Sequence, residues 1–417
     1  MIRFYNGRVL KFAGDYSVSP DEVWTDGGVI AYVGPKRQDA PKFEREIDLR
    51  GDILLPGIKN AHTHSAMTAL RSFADDLPLK NWLFDKVFPI EAKLTPDHVY
   101  AFSKLAILEY LSSGSTAIFD MYMHVDAFAA AVSDCGFKAV ICGASDDLNL
   151  QKDLYTKYNN KSANLSYRFG FHAEYTAEKS YLEELSALAK SYNAPVSTHC
   201  SETKNEVDGC IEKYGMTPPA LFENLGLLDN GGTLFHCVHV NENDIEILKR
   251  RGAYAVTCPA SNAKLASGIA PISDILKSGV NLAIGTDGPA SNNALSMFRE
   301  MYLCAVLAKI KENDAAAIPA ETLLKAAVQG GRAMGLNNCE SIKENSRADL
   351  CVISIEKPNM RPLHDVYKNI VYSADCTNVR LTMVEGKILY ENGNYYIGED
   401  PEDIYKRAEQ LFPDLVQ

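Results

Sequence analysis

The chain has 417 residues, of which 46% are hydrophobic and 23% charged, and this length and apolar content suit one large domain with a smaller one beside it. The formal net charge of −12 argues against binding to a nucleic-acid backbone, and no apolar run is long enough to form a signal peptide or to span a bilayer. The ten cysteines form no CxxC pair, so we expect reduced, buried thiols in a cytoplasmic protein.

Residues 1 to about 50 contain apolar runs such as GGVIAYVG and EREIDLRG, which alternate with turn signals and predict strands. From Ile53 onward, short apolar runs alternate with helix-length segments. The predicted strands are ILLPGIKNAHTH (53–64), TAIFDM (116–121), KAVICGAS (138–145), LSYRFGFHAEY (165–175), APVSTHC (194–200), GTLFHCVHV (232–240), AYAVTCP (253–259) and NLAIGTDG (281–288). Eight buried strands separated by helices are typical of a closed (β/α)₈ barrel, an α/β fold.

The segment between the first two predicted barrel strands shows clear helix signals. Thr95 is the predicted N-cap, and Pro96 is predicted to be the first helical residue. Gly114 stands where a C-terminal cap belongs, immediately before the next strand.

After about residue 345 the pattern returns to strands, as in ADLCVISI and VRLTMVEGKILYENG, and EDIYKRAEQLF predicts a closing helix. We expect the N-terminal and C-terminal strands to pack together. The predicted organisation is a composite β-sandwich domain from residues 1–54 and 346–417, flanking a metal-dependent barrel domain of residues 55–345.

Histidines and an aspartate lie at the ends of four predicted barrel strands. His62 and His64 are two residues apart, so both side chains point to the same side of the first strand. His199, His236 and Asp287 lie at or near the ends of strands five, six and eight. The carboxyl ends of barrel strands surround one axis, where active sites form. The pattern therefore predicts a site of zinc type.

Several runs occur in the order found in a known family: PGIKNAHTH, WLFDKVFPIE, HCSET, HCVH, PASNAKLASGIAP and GTDGPASNN. The chain resembles the amidohydrolase superfamily, in its branch of S-adenosylhomocysteine/5'-methylthioadenosine deaminases and related chlorohydrolases. The resemblance covers nearly the whole chain. It implies a (β/α)₈ barrel with a flanking composite β-sandwich and a hydrolytic enzyme.

The resemblance assigns the metal ligands as His62, His64, His199 and Asp287. It makes Glu202 the acid that shuttles protons and His236 the histidine that contacts the activated water, with Asp287 also taking part in proton transfer. Two-metal relatives carry a bridging lysine on the fourth strand, whereas LSYRFGFHAEY has none. One divalent metal per subunit is therefore expected. Zinc is the default for three His and one Asp, and Fe²⁺ and Mn²⁺ are the alternatives.

The same resemblance predicts the substrate pocket. Glu91 matches an acid that binds ribose hydroxyls, His172 a substrate-binding histidine and Ser291 a residue near the purine-type ring. Trp82 is assigned either to the pocket or to the core. Relatives that accept S-adenosylhomocysteine carry one arginine late in the third strand and another about twelve residues on. In ICGASDDLNLQKDL, Cys142 stands at the first place and the second has no arginine, which makes this substrate doubtful. Thr257 stands where many relatives have a histidine, and nothing in the sequence explains the difference.

These features predict a metal-dependent aminohydrolase that acts on a purine-type ring and releases ammonia. The preferred substrate is an adenine nucleoside such as 5'-methylthioadenosine, adenosine or 5'-deoxyadenosine. The alternatives are an s-triazine chlorohydrolase or aminohydrolase, a guanine-type deaminase and a non-catalytic barrel scaffold. The expected partner is a small-molecule substrate, without nucleic acid or membrane, in a chain that forms a homo-oligomer by the general preference for symmetric assembly.

Overall fold

The computed structural model describes residues 1–14, 17–77 and 81–416. The first strands are β1 (Ile2–Tyr5), β2 (Arg8–Leu10), β3 (Val18–Ser19), β4 (Glu22–Asp26), β5 (Val29–Gly34), β6 (Arg45–Asp48) and β7 (Ile53–Pro56). The next eight are β8 (Ile58–Thr63), β9 (Ser115–Met121), β10 (Ala139–Cys142), β11 (Leu165–Gly170), β12 (Val196–Cys200), β13 (Gly232–His236), β14 (Tyr254–Thr257) and β15 (Asn281–Ile284). The last are β16 (Leu350–Ile353), β17 (Val379–Val384), β18 (Lys387–Glu391) and β19 (Asn394–Tyr395).

The described helices lie mainly between the barrel strands and at the C-terminus. The α-helices are Phe88–Glu91, Pro96–Ser112, Val125–Asp134, Leu148–Tyr158, Lys179–Ser191, Lys204–Tyr214, Pro218–Asn224, Glu242–Arg251, Pro259–Lys264, Ile272–Ser278, Met297–Glu312, Ala320–Gln329, Val366–Tyr372, Pro401–Leu411 and Pro413–Val416. A π-helix spans Trp82–Val87, and 3₁₀ turns span Ser65–Leu70, Glu174–Thr176, Gly330–Arg332, Pro358–Met360 and Cys376–Asn378. None of the helices in the described ranges is long and apolar enough to cross a membrane.

Strands β8 to β15 form one parallel sheet in sequence order. Strand β15 lies beside β8, and the Asp287 amide donates to the His62 carbonyl at 3.0 Å, which closes the ring. The predicted (β/α)₈ barrel is therefore confirmed. The predicted helix after the first barrel strand is present as Pro96–Ser112, with the Thr95 hydroxyl accepting from the His98 amide at 3.4 Å.

The first predicted barrel strand is in fact two strands. The run 53–64 breaks at Gly57 into β7, which joins the flanking sheet, and β8, which joins the barrel. Glycine is required at the break because a Cβ on Gly57 would lie 2.1 Å from the Thr116 Cγ2 atom. The eighth strand is also shorter than predicted. It ends at Ile284, so Asp287 lies in the loop beyond it with a φ of 61°.

Two further sheets form the flanking unit. A seven-stranded sheet has the order β19-β18-β17-β16-β7-β2-β3, so it joins the two ends of the chain, and a four-stranded sheet has the order β5-β4-β1-β6. Phe4, Val23, Leu54, Val352 and Leu381 belong to one buried apolar cluster built from both sheets. This arrangement confirms the composite β-sandwich. The exact domain division stays a prediction, and its first boundary, after residue 54, falls inside β7.

Candidate metal centre and active site

A cavity of about 800 Å³ opens at the carboxyl ends of the barrel strands. Most of the residues predicted for the site line it: His64, Trp82, Glu91, His172, His199, Glu202, His236 and Asp287. His62 lies directly beneath, fully buried, and its imidazole stacks on the Phe235 ring with centroids 3.9 Å apart. The barrel therefore brings together residues that are up to 225 positions apart in the sequence, from His62 to Asp287.

The two histidines of the first barrel strand approach one carboxylate oxygen. His62 Nε2 lies 3.5 Å and His64 Nε2 lies 3.2 Å from Asp287 Oδ1. His64 Nδ1 donates to the Met121 carbonyl at 2.5 Å, which fixes its ring orientation. Burial lowers the pKa of His62 to about 3, so its imidazole is neutral. Burial also acts against the charged form of His64, but the hydrogen bond and charge of Asp287 outweigh it and raise the pKa of His64 to about 9.

His199 and His236 are held through their Nδ1 atoms. His199, in β12, donates to the His172 carbonyl at 2.8 Å, and His236, the last residue of β13, donates to Asn262 Oδ1 at 2.8 Å. A hydrogen bond at one ring nitrogen fixes the tautomer and leaves the other nitrogen as a potential ligand atom. Both Nε2 atoms are therefore available to the centre of the cavity.

The Asp287 carboxylate is divided between two sets of neighbours. Its Oδ1 faces His62 and His64, while its Oδ2 accepts from Ser261 Oγ at 2.5 Å and from Ser291 Oγ at 2.7 Å. Burial alone would raise the pKa of Asp287. The close contacts with His62 and His64 and the charges of His64 and His236 instead hold the pKa of Asp287 well below its usual range, so the group is ionised.

The donor set fits a divalent metal. One ligand atom from each of His62, His199, His236 and Asp287 lies within 4.8 Å of the others, and His64 Nε2 approaches the same Asp287 oxygen. Both ring nitrogens of His62 are buried without a hydrogen-bond partner, an arrangement that costs free energy unless another group binds them. Imidazole nitrogens with one carboxylate oxygen are the donors that zinc prefers. The mutually close group therefore contains three of the four predicted ligands together with His236, and the fourth, His64, reaches it through its 3.2 Å approach to Asp287.

Glu202 lies two residues after β12, next to the proposed proton-transfer histidine. Its Oε2 is 3.8 Å from His236 Nε2, and its Oε1 accepts from Ser267 Oγ at 3.4 Å. Burial raises the pKa of Glu202, which favours the protonated form that a general acid needs. The backbone around Glu202 is fixed by Glu206. The Glu206 carboxylate accepts hydrogen bonds from the Ser201, Glu202 and Thr203 amides at 2.5, 2.8 and 3.3 Å.

The predicted pocket residues fall into two groups. Glu91, Trp82 and His172 line the cavity. Glu91 is buried, accepts from the Tyr122 hydroxyl at 2.7 Å, and has its pKa raised by burial. Trp82 is only 6% exposed, so it belongs both to the pocket wall and to the core. Ser291 is different, because it lies behind Asp287 and donates to it, outside the set of cavity-lining residues.

The sequence analysis missed the residues that orient the site. Ser261 donates a hydrogen bond to Asp287, and the side-chain oxygen of Asn262 accepts one from His236. Tyr122 donates to Glu91, and Glu206 accepts from the backbone amide of Glu202. Ser261 and Asn262 follow β14 within the run PASNAK, so their place at a strand end was a usable signal. The contact of Tyr122 depends on tertiary structure and has no comparable signal. Glu206 has a local signal, its capping-box spacing from Thr203, but that signal does not predict its contact with the Glu202 amide.

Comparisons with known proteins agree with this geometry. The Amidohydrolase family pattern matches residues 53–389. A protein from Caldicellulosiruptor saccharolyticus named 5-methylthioadenosine/S-adenosylhomocysteine deaminase is 43% identical over 412 residues, which cover 97% of this chain and 96% of that protein. A homologue of the same name from Thermoanaerobacter pseudethanolicus is 38% identical and covers 95% and 94% of the two chains.

Among solved structures, an adenosine deaminase from Xanthomonas campestris with bound zinc superimposes with a TM-score of 0.95 and 33% identity, covering 100% of this chain and 98% of that one. Zinc in that protein agrees with the donor chemistry of the site described above.

The geometry gives a test of metal binding. His62→Ala removes a buried nitrogen donor and should lower metal affinity at least about tenfold, since losing even an outer partner of a ligand costs that much. Metal content after dialysis, measured by elemental analysis, checks this. His364→Ala, at an exposed position, is the matched control and should keep its metal. Equal metal retention in both variants would remove His62 from the centre.

Proposed function

Because the chain belongs to the amidohydrolase family, we propose that it is a metal-dependent aminohydrolase that converts an amino group on a purine-type ring into a carbonyl and releases ammonia. The observation that carries the proposal is the convergence of four histidines and Asp287 on one point, with the buried acid Glu202 beside them, at the base of an 800 Å³ cavity. A cytoplasmic location and a homo-oligomer stay predictions.

The metal would be held by His62, His64, His199 and Asp287, as one divalent ion with zinc as the expected identity. Such an ion supplies Lewis-acid activation of a water molecule at neutral pH. His236 lies beside this set and is held by Asn262, so we assign it to proton transfer. The described part of the fourth strand, β11, contains no lysine, which supports one ion per subunit.

Three side chains would carry the protons. Glu202 protonates a ring nitrogen, which makes the neighbouring carbon more electrophilic towards water. His236 and Asp287 orient the attacking water and accept its proton. That proton would then pass to the amino group, which leaves as ammonia, and the new hydroxyl group would return its proton to Glu202 as the carbon becomes a carbonyl. The 3.8 Å distance between Glu202 Oε2 and His236 Nε2 supports an acid and a base that act on neighbouring atoms of one bound substrate.

The cavity wall supports an adenine nucleoside. Glu91 presents a buried carboxylate, which suits the paired hydroxyls of a ribose. One of its oxygens already accepts from the Tyr122 hydroxyl, which fixes the carboxylate in place. The cavity is also lined by the apolar side chains of Met67, Phe88 and Met123. An apolar lining favours a small apolar 5' substituent such as methylthio.

The mouth of the cavity disfavours a substrate carboxylate. Asp126 and Asp146 line it, and the described lining residues include no lysine or arginine. Asp126 is paired with Lys157 at 2.9 Å, so a free amino-acid carboxylate would meet like charge chiefly from Asp146. We therefore propose 5'-methylthioadenosine, adenosine and 5'-deoxyadenosine as substrates, in preference to S-adenosylhomocysteine.

The test is ammonia release by zinc-loaded protein. We expect turnover of the three adenine nucleosides and a kcat/KM for S-adenosylhomocysteine lower by at least about tenfold, equivalent to about 1.4 kcal/mol of lost transition-state binding. Guanine and a chlorotriazine serve as controls for the alternative activities. Ammonia from guanine alone, or chloride from the chlorotriazine alone, would contradict the proposal.

Glu202→Gln should keep the shape of the side chain but lose its transferable proton. We expect kcat to fall by about 10²–10⁴-fold with unchanged metal content. Steady-state kinetics with metal analysis check this, and Glu212→Gln, an exposed acid on the following helix, is the control. Full turnover by the Glu202 variant would assign the acid to another residue.

Glu91→Ala should affect nucleosides but not free bases. Loss of a carboxylate that binds hydroxyl donors should raise the KM for adenosine at least about tenfold, in line with about 1.5–3 kcal/mol for a hydrogen bond to a charged group. Turnover of adenine should change little. A similar loss for adenosine and adenine would argue against ribose recognition by Glu91.

A further inference from the structure

Glu300 is a fully buried acid that the proposed reaction does not use. It lies on the helix Met297–Glu312 and is 0% exposed. One carboxyl oxygen, Oε2, accepts from the Ala260 amide at 3.0 Å, and the other, Oε1, accepts from Asn292 Nδ2 at 2.8 Å. Burial raises the pKa of Glu300 to about 8. Acids with pKa values shifted in this way concentrate near functional sites, so the surroundings of its two partners matter.

The first partner begins a short helix whose next residues support the site. Ala260 is the second residue of Pro259–Lys264, so its amide has no acceptor within that helix, and Glu300 supplies one. Ser261 follows and donates to Asp287 Oδ2 at 2.5 Å. The bond to Glu300 therefore fixes the backbone next to the hydroxyl that directs the Asp287 carboxylate.

The same short helix orients His236. Asn262 is the fourth residue of the helix, and its Oδ1 accepts from His236 Nδ1 at 2.8 Å. This hydrogen bond fixes the imidazole tautomer and leaves Nε2 free to face the centre of the cavity. A shift at the start of the helix would move Ser261 and Asn262 together, because both belong to its first turn.

The second partner ties Glu300 to the backbone immediately before Asp287. Asn292 Nδ2 donates to the Thr286 carbonyl at 2.6 Å as well as to Glu300. The Thr286 amide in turn donates to Asn60 Oδ1, on β8, at 2.9 Å. Glu300 therefore joins the segment that follows β14 to the segment that follows β15, and both segments carry groups of the site.

We propose that Glu300 is a positioning residue that sets the placement of Asp287 relative to His236 for proton transfer. Glu300 is not among the described residues that line the cavity, so it acts through the Ala260 and Asn292 amides. Functional groups need to be held within about 0.5 Å of their productive geometry, and a bond between the two supporting segments limits their relative movement. The proton-transfer role rests on the proposed function, whereas the contacts of Glu300 do not depend on it.

Asp244 provides a matched control for the loss of a buried acid. It is also 0% exposed, burial raises its pKa, and it accepts from the Asn241 amide at 3.0 Å and from Thr217 Oγ1 at 2.5 Å. Thr217 and Asn241 are the N-caps of the helices Pro218–Asn224 and Glu242–Arg251. None of these three residues is among the described lining of the cavity. Asp244→Asn should therefore lower the unfolding temperature and leave kcat unchanged.

The first test is Glu300→Gln, which keeps the shape of the side chain but removes one of its two acceptor oxygens. We expect kcat for adenosine to fall about 10–100-fold, the usual cost of losing a residue that supports a metal ligand. KM should stay unchanged, because the cavity wall is intact. Steady-state kinetics at saturating zinc measure both constants, with Asp244→Asn in parallel. An unchanged kcat in Glu300→Gln, or an equal fall in both variants, would overturn the proposal.

A second readout does not depend on turnover. Cobalt(II) bound in place of zinc reports the geometry of its ligands through its visible absorption. A displaced Asp287 should change this spectrum in Glu300→Gln, whereas Asp244→Asn should match the unaltered chain. Asn292→Ala breaks the same link from its other end, so it should change the spectrum and lower kcat as well, and it covers the case in which Glu300→Gln fails to fold. Spectra identical to that of the unaltered chain in these site variants would overturn the proposal.

A double variant tests the route through Ser261. Residues in one network have non-additive effects, so Ser261→Ala combined with Glu300→Gln should lower kcat by less than the product of the two separate losses. Fully multiplicative losses would overturn the proposal. If the unaltered chain releases no ammonia from any nucleoside, the proposed function is contradicted, and the cobalt spectra still decide whether Glu300 places Asp287.

Discussion

The site depends first on keeping a buried carboxylate, Asp287, ionised inside the barrel. Removing a carboxylate from water costs several kcal/mol unless donors replace the solvent. Here one oxygen faces His62 and His64 and the other accepts from Ser261 and Ser291. The left-handed backbone of Asp287, with a φ of 61°, is held by the hydrogen bond from its amide to the His62 carbonyl. These contacts tie Asp287 to the end of β8 through the two histidines and to the segment after β14 through Ser261.

The parallel barrel supplies the remaining geometry. Side chains at the carboxyl ends of β8, β12 and β13 meet at one edge of the sheet, although their sequence positions are far apart. The imidazoles of His64 and His199 are then turned by carbonyls of neighbouring strand ends, those of Met121 and His172. These second contacts orient the donor nitrogens before any ligand binds, which is the usual arrangement at metal sites.

The sequence is sufficient to predict the barrel and the converging donors because both follow from simple periodicity. Residues two positions apart on a strand point to the same side of the sheet, so the sequence predicts that the side chains of His62 and His64 lie together. Periodicity gives the direction of a side chain but not the distance between loops. It therefore missed the break at Gly57, which is imposed by contact with Thr116, and the support of Asp287 by Ser261.

The support of Glu202 shows the same limit. Glu206 is recognisable in the sequence as a residue of a helix capping box with Thr203, and the structure confirms that local role. Its reach to the Ser201 and Glu202 amides depends on the tight turn after β12, where Ser201 has a φ of 51°. The residue that caps the helix thus also fixes the backbone of Glu202, and this second role depends on the folded turn.

Charge at the mouth of the cavity bears on which substrates can enter it. Asp146 lies in its lining, and Asp126 lies there as well but is paired with Lys157 at 2.9 Å. The chain as a whole carries a net charge of −12, so the negative field of Asp146 is reinforced by the molecule. Such a field repels a substrate that carries a free carboxylate, whereas a neutral nucleoside carries no charge for it to act on.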